Sequence, residues 1–116
     1  MEGDVYKAWK TLCDRRGLIL IGPKAEKVAG WTPLEAEYVK DCVDRVREKY
    51  RIDPQRILLH SYSTGGPFAW HLAFRYRDTF RGVAMAAQPL IGLLPENEPE
   101  HRQQFYFACG EDDPLF

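Results

Sequence analysis

The stretch Arg56-Ile57-Leu58-Leu59-His60-Ser61-Tyr62-Ser63-Thr64-Gly65-Gly66 decides the fold. Ile57, Leu58 and Leu59 give an extended apolar run, expected as a strand over Arg56–His60. Phe68, Leu72 and Tyr76 then recur at helical spacing and predict a helix over Thr64–Tyr76. Between strand and helix stands Ser63, with a small residue two places before it (Ser61) and two after (Gly65), and Gly66 behind. Strand, serine and helix in immediate succession are the context of the nucleophile elbow, usually written G-x-S-x-G. The tight turn makes the serine Oγ project from the sheet. Positions 61 and 65 must be small because strand and helix backbones crowd there. Ser61 replaces the usual glycine and adds a Cβ and a hydroxyl. A helix starting at Thr64 also turns backbone N–H groups toward the serine, so the Thr64 N–H is a candidate oxyanion donor.

Outward from this stretch, helical and extended patterns alternate. Val5, Ala8, Trp9 and Leu12 predict a helix over Asp4–Arg16, closed by Gly17. Leu18–Ile21, bounded by glycines, predicts a short buried strand. Thr32-Pro33-Leu34-Glu35 combines a cap, a first-turn proline and a capping-box glutamate. The helix it starts runs to about Tyr50, with Leu34, Tyr38, Val39, Cys42, Val43, Val46 and Tyr50 as its buried stripe. Ile52–Gln55 is a turn, Gly82–Ala87 and Gln104–Cys109 are further strands, and the proline-bearing 88–100 stretch is a loop. The expected class is α/β, a mostly parallel sheet with flanking helices in three αβα layers. In such sheets chemistry gathers at the carboxyl ends of the strands.

Composition narrows the functional classes. The chain has 116 residues, 45% apolar and 28% charged, with a formal net charge of −1, which fits one small globular domain over 1–116. A near-neutral chain has no basic field for nucleic acid, and no apolar run is long enough for a membrane span. Three separated cysteines, Cys13, Cys42 and Cys109, argue against a disulfide framework or zinc knuckle and are expected as buried thiols in a cytoplasmic protein. Neither a metal nor an organic cofactor is expected. Glu96, Glu98 and Glu100 are expected in a solvated loop. Trp9, Trp31 and Trp70 are expected as packing anchors, and Tyr62 as a pocket or packing residue.

The Ile52-Asp53-Pro54-Gln55-Arg56-Ile57 turn and strand, the serine elbow, Ala69, Leu72-Ala73 and Phe80-Arg81-Gly82-Val83-Ala84 together resemble the α/β-hydrolase superfamily. The closest likeness is to carboxylesterase and polyhydroxybutyrate-depolymerase-like esterases, over about Leu18 to Leu115. The resemblance implies a serine hydrolase that acts on a small-molecule or polymer ester through an acyl-enzyme at Ser63. The family's acid follows a strand in a G-x-x-D-P-like turn, matched here by Gly110-Glu111-Asp112-Asp113-Pro114. Asp113 is therefore the implied triad acid and Asp112 its fallback. The family order places a histidine after the acid. His60, His71 and His101 all precede it and are expected to be structural or solvated. A second oxyanion donor has no match either. These gaps imply a partial domain lacking N-terminal strands and a C-terminal histidine segment, with open sheet edges through which copies could associate. The alternative is a non-catalytic binding or scaffold module of the same fold. Anion binding at Ser63-Thr64-Gly65-Gly66 is disfavoured by the absence of a dinucleotide or P-loop glycine pattern.

Overall fold

A computed structural model describes residues 2–27, 30–62, 65–87, 95–96 and 98–112, with side chains described from Tyr6 onward. The elements in chain order are α1 (Glu2–Arg16), α2 (Ala36–Lys49), β1 (Leu58–Tyr62), α3 (Gly66–Arg75), β2 (Gly82–Ala86) and β3 (Gln104–Ala108). Among the described residues, short 3-10 turns at Pro33–Glu35 and Pro99–His101 precede α2 and β3.

The strands form one parallel sheet in the order β1-β2-β3. Pairing runs in unbroken register, from Leu58–Gly82–Gln104 at one end to Tyr62–Ala86–Ala108 at the other. Bonds from the Arg81 N–H to the Ile57 carbonyl (2.8 Å) and from the Gln104 N–H to the Arg81 carbonyl (2.9 Å) continue the ladder one residue below β2. Gly82 is required in its row. A Cβ there would stand 2.7 Å from the Gln104 carbonyl oxygen and 3.2 Å from Leu58 Cδ2.

One face of the sheet is covered by α3. Ala69 and Ala73, one turn apart, let the helix backbone approach Val83 and Met85, and all four are buried. On its outer side α3 presents Phe68 and Leu72 to Ala36, Val39 and Val43 of α2, with Phe80 closing the cluster. Trp31 stacks on Phe68 at 4.8 Å and Trp70 lies against Phe74 and Phe105, as packing anchors should. Each fully buried aliphatic or aromatic side chain here contributes about 1.5–3 kcal/mol. Gln103 fastens β3 to this layer, its amide nitrogen donating to the Ala73 carbonyl (2.7 Å) and the Phe80 carbonyl (3.0 Å).

The opposite face is sparsely covered. Strand alternation puts Leu58, His60 and Tyr62 on it, along with Gln104 and Tyr106. Leu58, Tyr62 and Tyr106 are 66%, 72% and 69% exposed. Helix α1 reaches this face through Trp9, whose ring meets His60 edge-on at 5.0 Å.

Several expectations are corrected. Leu18–Ile21 is not a strand: the segment has no ladder partner, and Leu18, Ile19 and Leu20 are 39–50% exposed. The Leu18 N–H instead donates to the Cys13 carbonyl (3.0 Å) while Gly17 takes φ +64°, the six-to-one closure that ends α1. In α1, which forms as its spacing predicts, Ala8 and Leu12 are exposed, Trp9 is half-buried, and the Val5 side chain lies outside those described. The α2 stripe is narrower than its spacing suggests. Val39 and Val43, which face Phe68 and Leu72 of α3, are buried and Cys42 and Val46 half-buried, but Leu34, Tyr38 and Tyr50 are exposed. Cys13 and Cys42 are half-buried and Cys109 is exposed, all as free thiols, so none is a core residue. Among the described residues no helix is long and apolar enough to cross a membrane.

The helix start at Thr32 behaves as its residues suggest. The Glu35 carboxylate accepts the Thr32 N–H (2.7 Å) and the Glu26 N–H (2.8 Å). These two donors hold the Glu35 carboxyl below its ordinary value of 4.5.

Candidate active site

Parallel pairing in chain order brings the carboxyl ends of all three strands to one edge of the sheet. Tyr62, Ala86 and Ala108 lie in a single row there. Beyond that row is an open, shallow depression of about 520 Å³, lined by Tyr62, Ala86, Ala87, Ala108, Cys109, Gly110, Glu111 and Asp112. Its floor is small and apolar, and its rim carries one phenol, one thiol and two carboxylates.

The connection between β1 and α3 is short, and its ends show why small residues are needed. β1 stops at Tyr62 and α3 starts at Gly66. Gly65 is already helical in backbone (φ −75°, ψ −13°), and a Cβ built on it would lie 3.7 Å from Ser61 Cβ. Ser61 and Gly65 thus face each other across the strand-to-helix turn. Ser61 is 8% exposed and its Oγ has no hydrogen-bond partner. A 3.7 Å approach is ordinary van der Waals contact, so the serine that replaces the elbow glycine is accommodated without a clash. Gly66 is buried at the first position of α3. Among the described residues that helix has no side-chain cap and no acidic residue in its first turn, and Pro67 at its start lacks an N–H.

Ser63, Thr64 and Asp113 lie outside the described residues. Asp112, the fallback acid, is described and lines the depression beside Glu111. No histidine does so among the described residues. His60 is turned to Trp9, and His71 sits on α3 with an unpartnered, buried Nε2. His101 ends the turn before β3, at the opposite end of a strand that spans about 16 Å. No group of three or more potential metal ligands occurs among the described residues.

Two lining residues escape a sequence reading. Ala87 follows β2 with φ +57°, a left-handed backbone that costs a non-glycine residue about 1–2 kcal/mol. The bond from its N–H to the Ala108 carbonyl (2.8 Å) holds it there and closes the floor of the depression. Strained backbone of this kind collects at functional sites, but Ala86-Ala87 gives no local signal of it. Cys109 enters the lining only because β3 ends one residue earlier than its apolar run suggests.

Comparison with known proteins gives two partial relatives, both named as esterases. The chain is 25% identical over 87 residues to a bifunctional acetylxylan esterase/xylanase of Neocallimastix patriciarum, covering 72% of this chain and 13% of that protein. It is 30% identical over 81 residues to NocK of Nocardia uniformis subsp. tsuyamanensis, covering 70% of this chain and 24% of that protein. The chain therefore spans a quarter or less of the length of these relatives. No family model and no solved structure matches it.

Proposed function

From the similarity to proteins named as esterases, we propose that this chain carries the nucleophile-bearing part of a serine carboxylesterase. The observation that carries this reading is the apposition of Ser61 and Gly65 across the strand-to-helix turn that follows β1. That apposition is the steric requirement of a nucleophile elbow, and Ser63 occupies the central position. In this mechanism Ser63 Oγ attacks the ester carbonyl and loses its proton to a histidine base. The oxyanion is held by the Thr64 N–H, two residues ahead of α3 in the sequence. The carbonyl re-forms, the alcohol departs with the proton, and water releases the acid from the acyl-enzyme. Asp113, or Asp112 beside it, orients the histidine and stabilises its cation. The substrate is a carboxylic ester, and the acetyl ester of a polysaccharide is the form that one relative's name suggests.

A second reading, a non-catalytic module of the same fold, is favoured by the absence of a histidine from the described lining. Covalent labelling separates the two. The full chain is treated with a neutral fluorophosphonate and mapped by mass spectrometry, with Ser63→Ala as control. Saturable modification at Ser63 supports the esterase. No modification at Ser63, or equal labelling of surface serines, supports the non-catalytic module.

A further inference from the structure

We propose that β3 is the self-pairing edge of this protein, joining a second copy through an antiparallel β3–β3 contact about a two-fold axis at Tyr106. β3 is the last strand of the sheet among the described residues, and all five of its residues are exposed. It lacks the charge, proline and bulge that often protect an edge. Gln104-Phe105-Tyr106-Phe107-Ala108 contains neither charge nor proline, and its one-to-one register with β2 contains no bulge.

The direction of the backbone groups fixes which residues would pair. The Gln104 N–H and the Ala108 carbonyl are bonded toward the β2 side. Alternation along a strand therefore turns the N–H and C=O groups of Phe105 and Phe107 outward. In an antiparallel pair centred on Tyr106, Phe105 lies opposite Phe107 of the second copy. Each then donates its N–H to the carbonyl of the other, and the two-fold axis repeats the exchange. The two Tyr106 residues form the closer, non-hydrogen-bonded pair on the axis. Phe105 and Phe107, whose rings are stacked at 6.4 Å, meet their counterparts on the same face.

Charge selects this partner and this direction. Arg102 is extended and exposed just before β3, while Glu111 and Asp112 are exposed in the turn just after it. Antiparallel pairing sets Arg102 opposite Gly110 of the second copy. The missing side chain at Gly110 leaves the guanidinium open access to Glu111 and Asp112 beyond it, once at each end. A parallel contact would put like charges together. The β1 edge has no such pattern: Arg56 before it is drawn to Asp53 at 3.4 Å, within its own chain. An interface of one short strand is smaller than a standard stable one, so the dissociation constant is expected on the order of 10 µM.

Sedimentation equilibrium of the full chain from about 1 to 200 µM tests the proposal. The expected mass rises from 13.4 kDa and levels at twice that value. Arg102→Glu should weaken association about ten-fold through two repulsive contacts, and adding Glu111→Arg should restore it. Phe107→Pro removes an outward N–H without touching the β2 ladder and should abolish the dimer, with circular dichroism confirming that the fold is kept. If Phe107→Pro does not fold, the charge pair and the loss of wild-type association in 0.5 M salt, against about 0.1 M, decide the matter. A mass fixed at 13.4 kDa overturns the proposal. So does growth past the dimer, or a dimer indifferent to the charge reversals and to salt.

Discussion

The two faces of the sheet differ more than their sequences do. On the α3 side of β2, Val83 and Met85 are both 3% exposed, pressed by Ala69 and Ala73. On the other side Ala84 and Ala86 are half-buried, flanked by the exposed Leu58, Tyr62 and Tyr106. Parallel strands normally carry apolar residues on both faces because helices cover both. Here most residues are apolar on both faces, and only one face is covered along its length. The difference shows that a packed neighbour, and not residue type alone, sets how much each strand contributes to stability.

The largest effects should therefore fall on the α3 side. Phe80→Ala should cost about 3–5 kcal/mol and Leu72→Ala about 2–5 kcal/mol in urea denaturation. Leu58→Ala, a truncation of the same size on the open face, should cost less than about 1 kcal/mol. Equal losses at Leu72 and Leu58 would mean that a partner covers the open face in solution and would break the contrast.

Gly82 sharpens it next. Its missing side chain belongs to the strand contact and to neither face, since a Cβ would collide with a backbone carbonyl. Gly82→Ala should destabilise by about 1–3 kcal/mol, and amide exchange should show the β2–β3 ladder opening before β1–β2. Ala87 should behave in the opposite sense. Ala87→Gly relieves a left-handed backbone and should raise stability by about 0.5–1 kcal/mol, after the glycine's own entropy is counted. Ala87→Val should lower it. A loss of stability on Ala87→Gly would place the floor of the depression elsewhere.

The smallest expected effect is the pH dependence at the start of α2. The Glu35 carboxyl titrates below its ordinary value because it accepts two backbone N–H groups. A carboxyl with a lowered folded-state value stabilises the fold fully above its unfolded value, here 4.5, and loses that contribution as pH falls through the lowered one. The gap in denaturation midpoint between wild type and Glu35→Gln should thus be present at pH 7 and close on acidification below about pH 4. A gap that persists at low pH would assign the effect to packing.

Much of this arrangement was legible in the residues themselves. Thr32-Pro33-Leu34-Glu35 announces the start of α2, Gly17 the end of α1, and the Ser61/Gly65 pair a tight strand-to-helix turn. Each is a local pattern whose physical cause lies within a few residues. What stayed hidden depends on distant neighbours. Leu18–Ile21 has the composition of a strand, but composition does not supply a ladder partner. Leu34 fits the α2 stripe, yet nothing packs over it, and it is 93% exposed. The backbone of Ala87 is set by a carbonyl twenty-one residues later. For the site, the row Tyr62–Ala86–Ala108 follows from strands that pair in chain order, and the acidic turn after β3 then lines the same depression as Tyr62.

The Gln103 amide gives β3 a chemical lifetime as well as a position. Both protons on one nitrogen are committed, to the Ala73 and Phe80 carbonyls. Hydrolysis of that amide to a carboxylate would exchange two donors for an acceptor and set it against two carbonyl oxygens. A single atom's ageing would thus turn a clasp into a wedge, and samples kept warm at high pH should shed the order of β3 while β1, α3 and β2 stay packed.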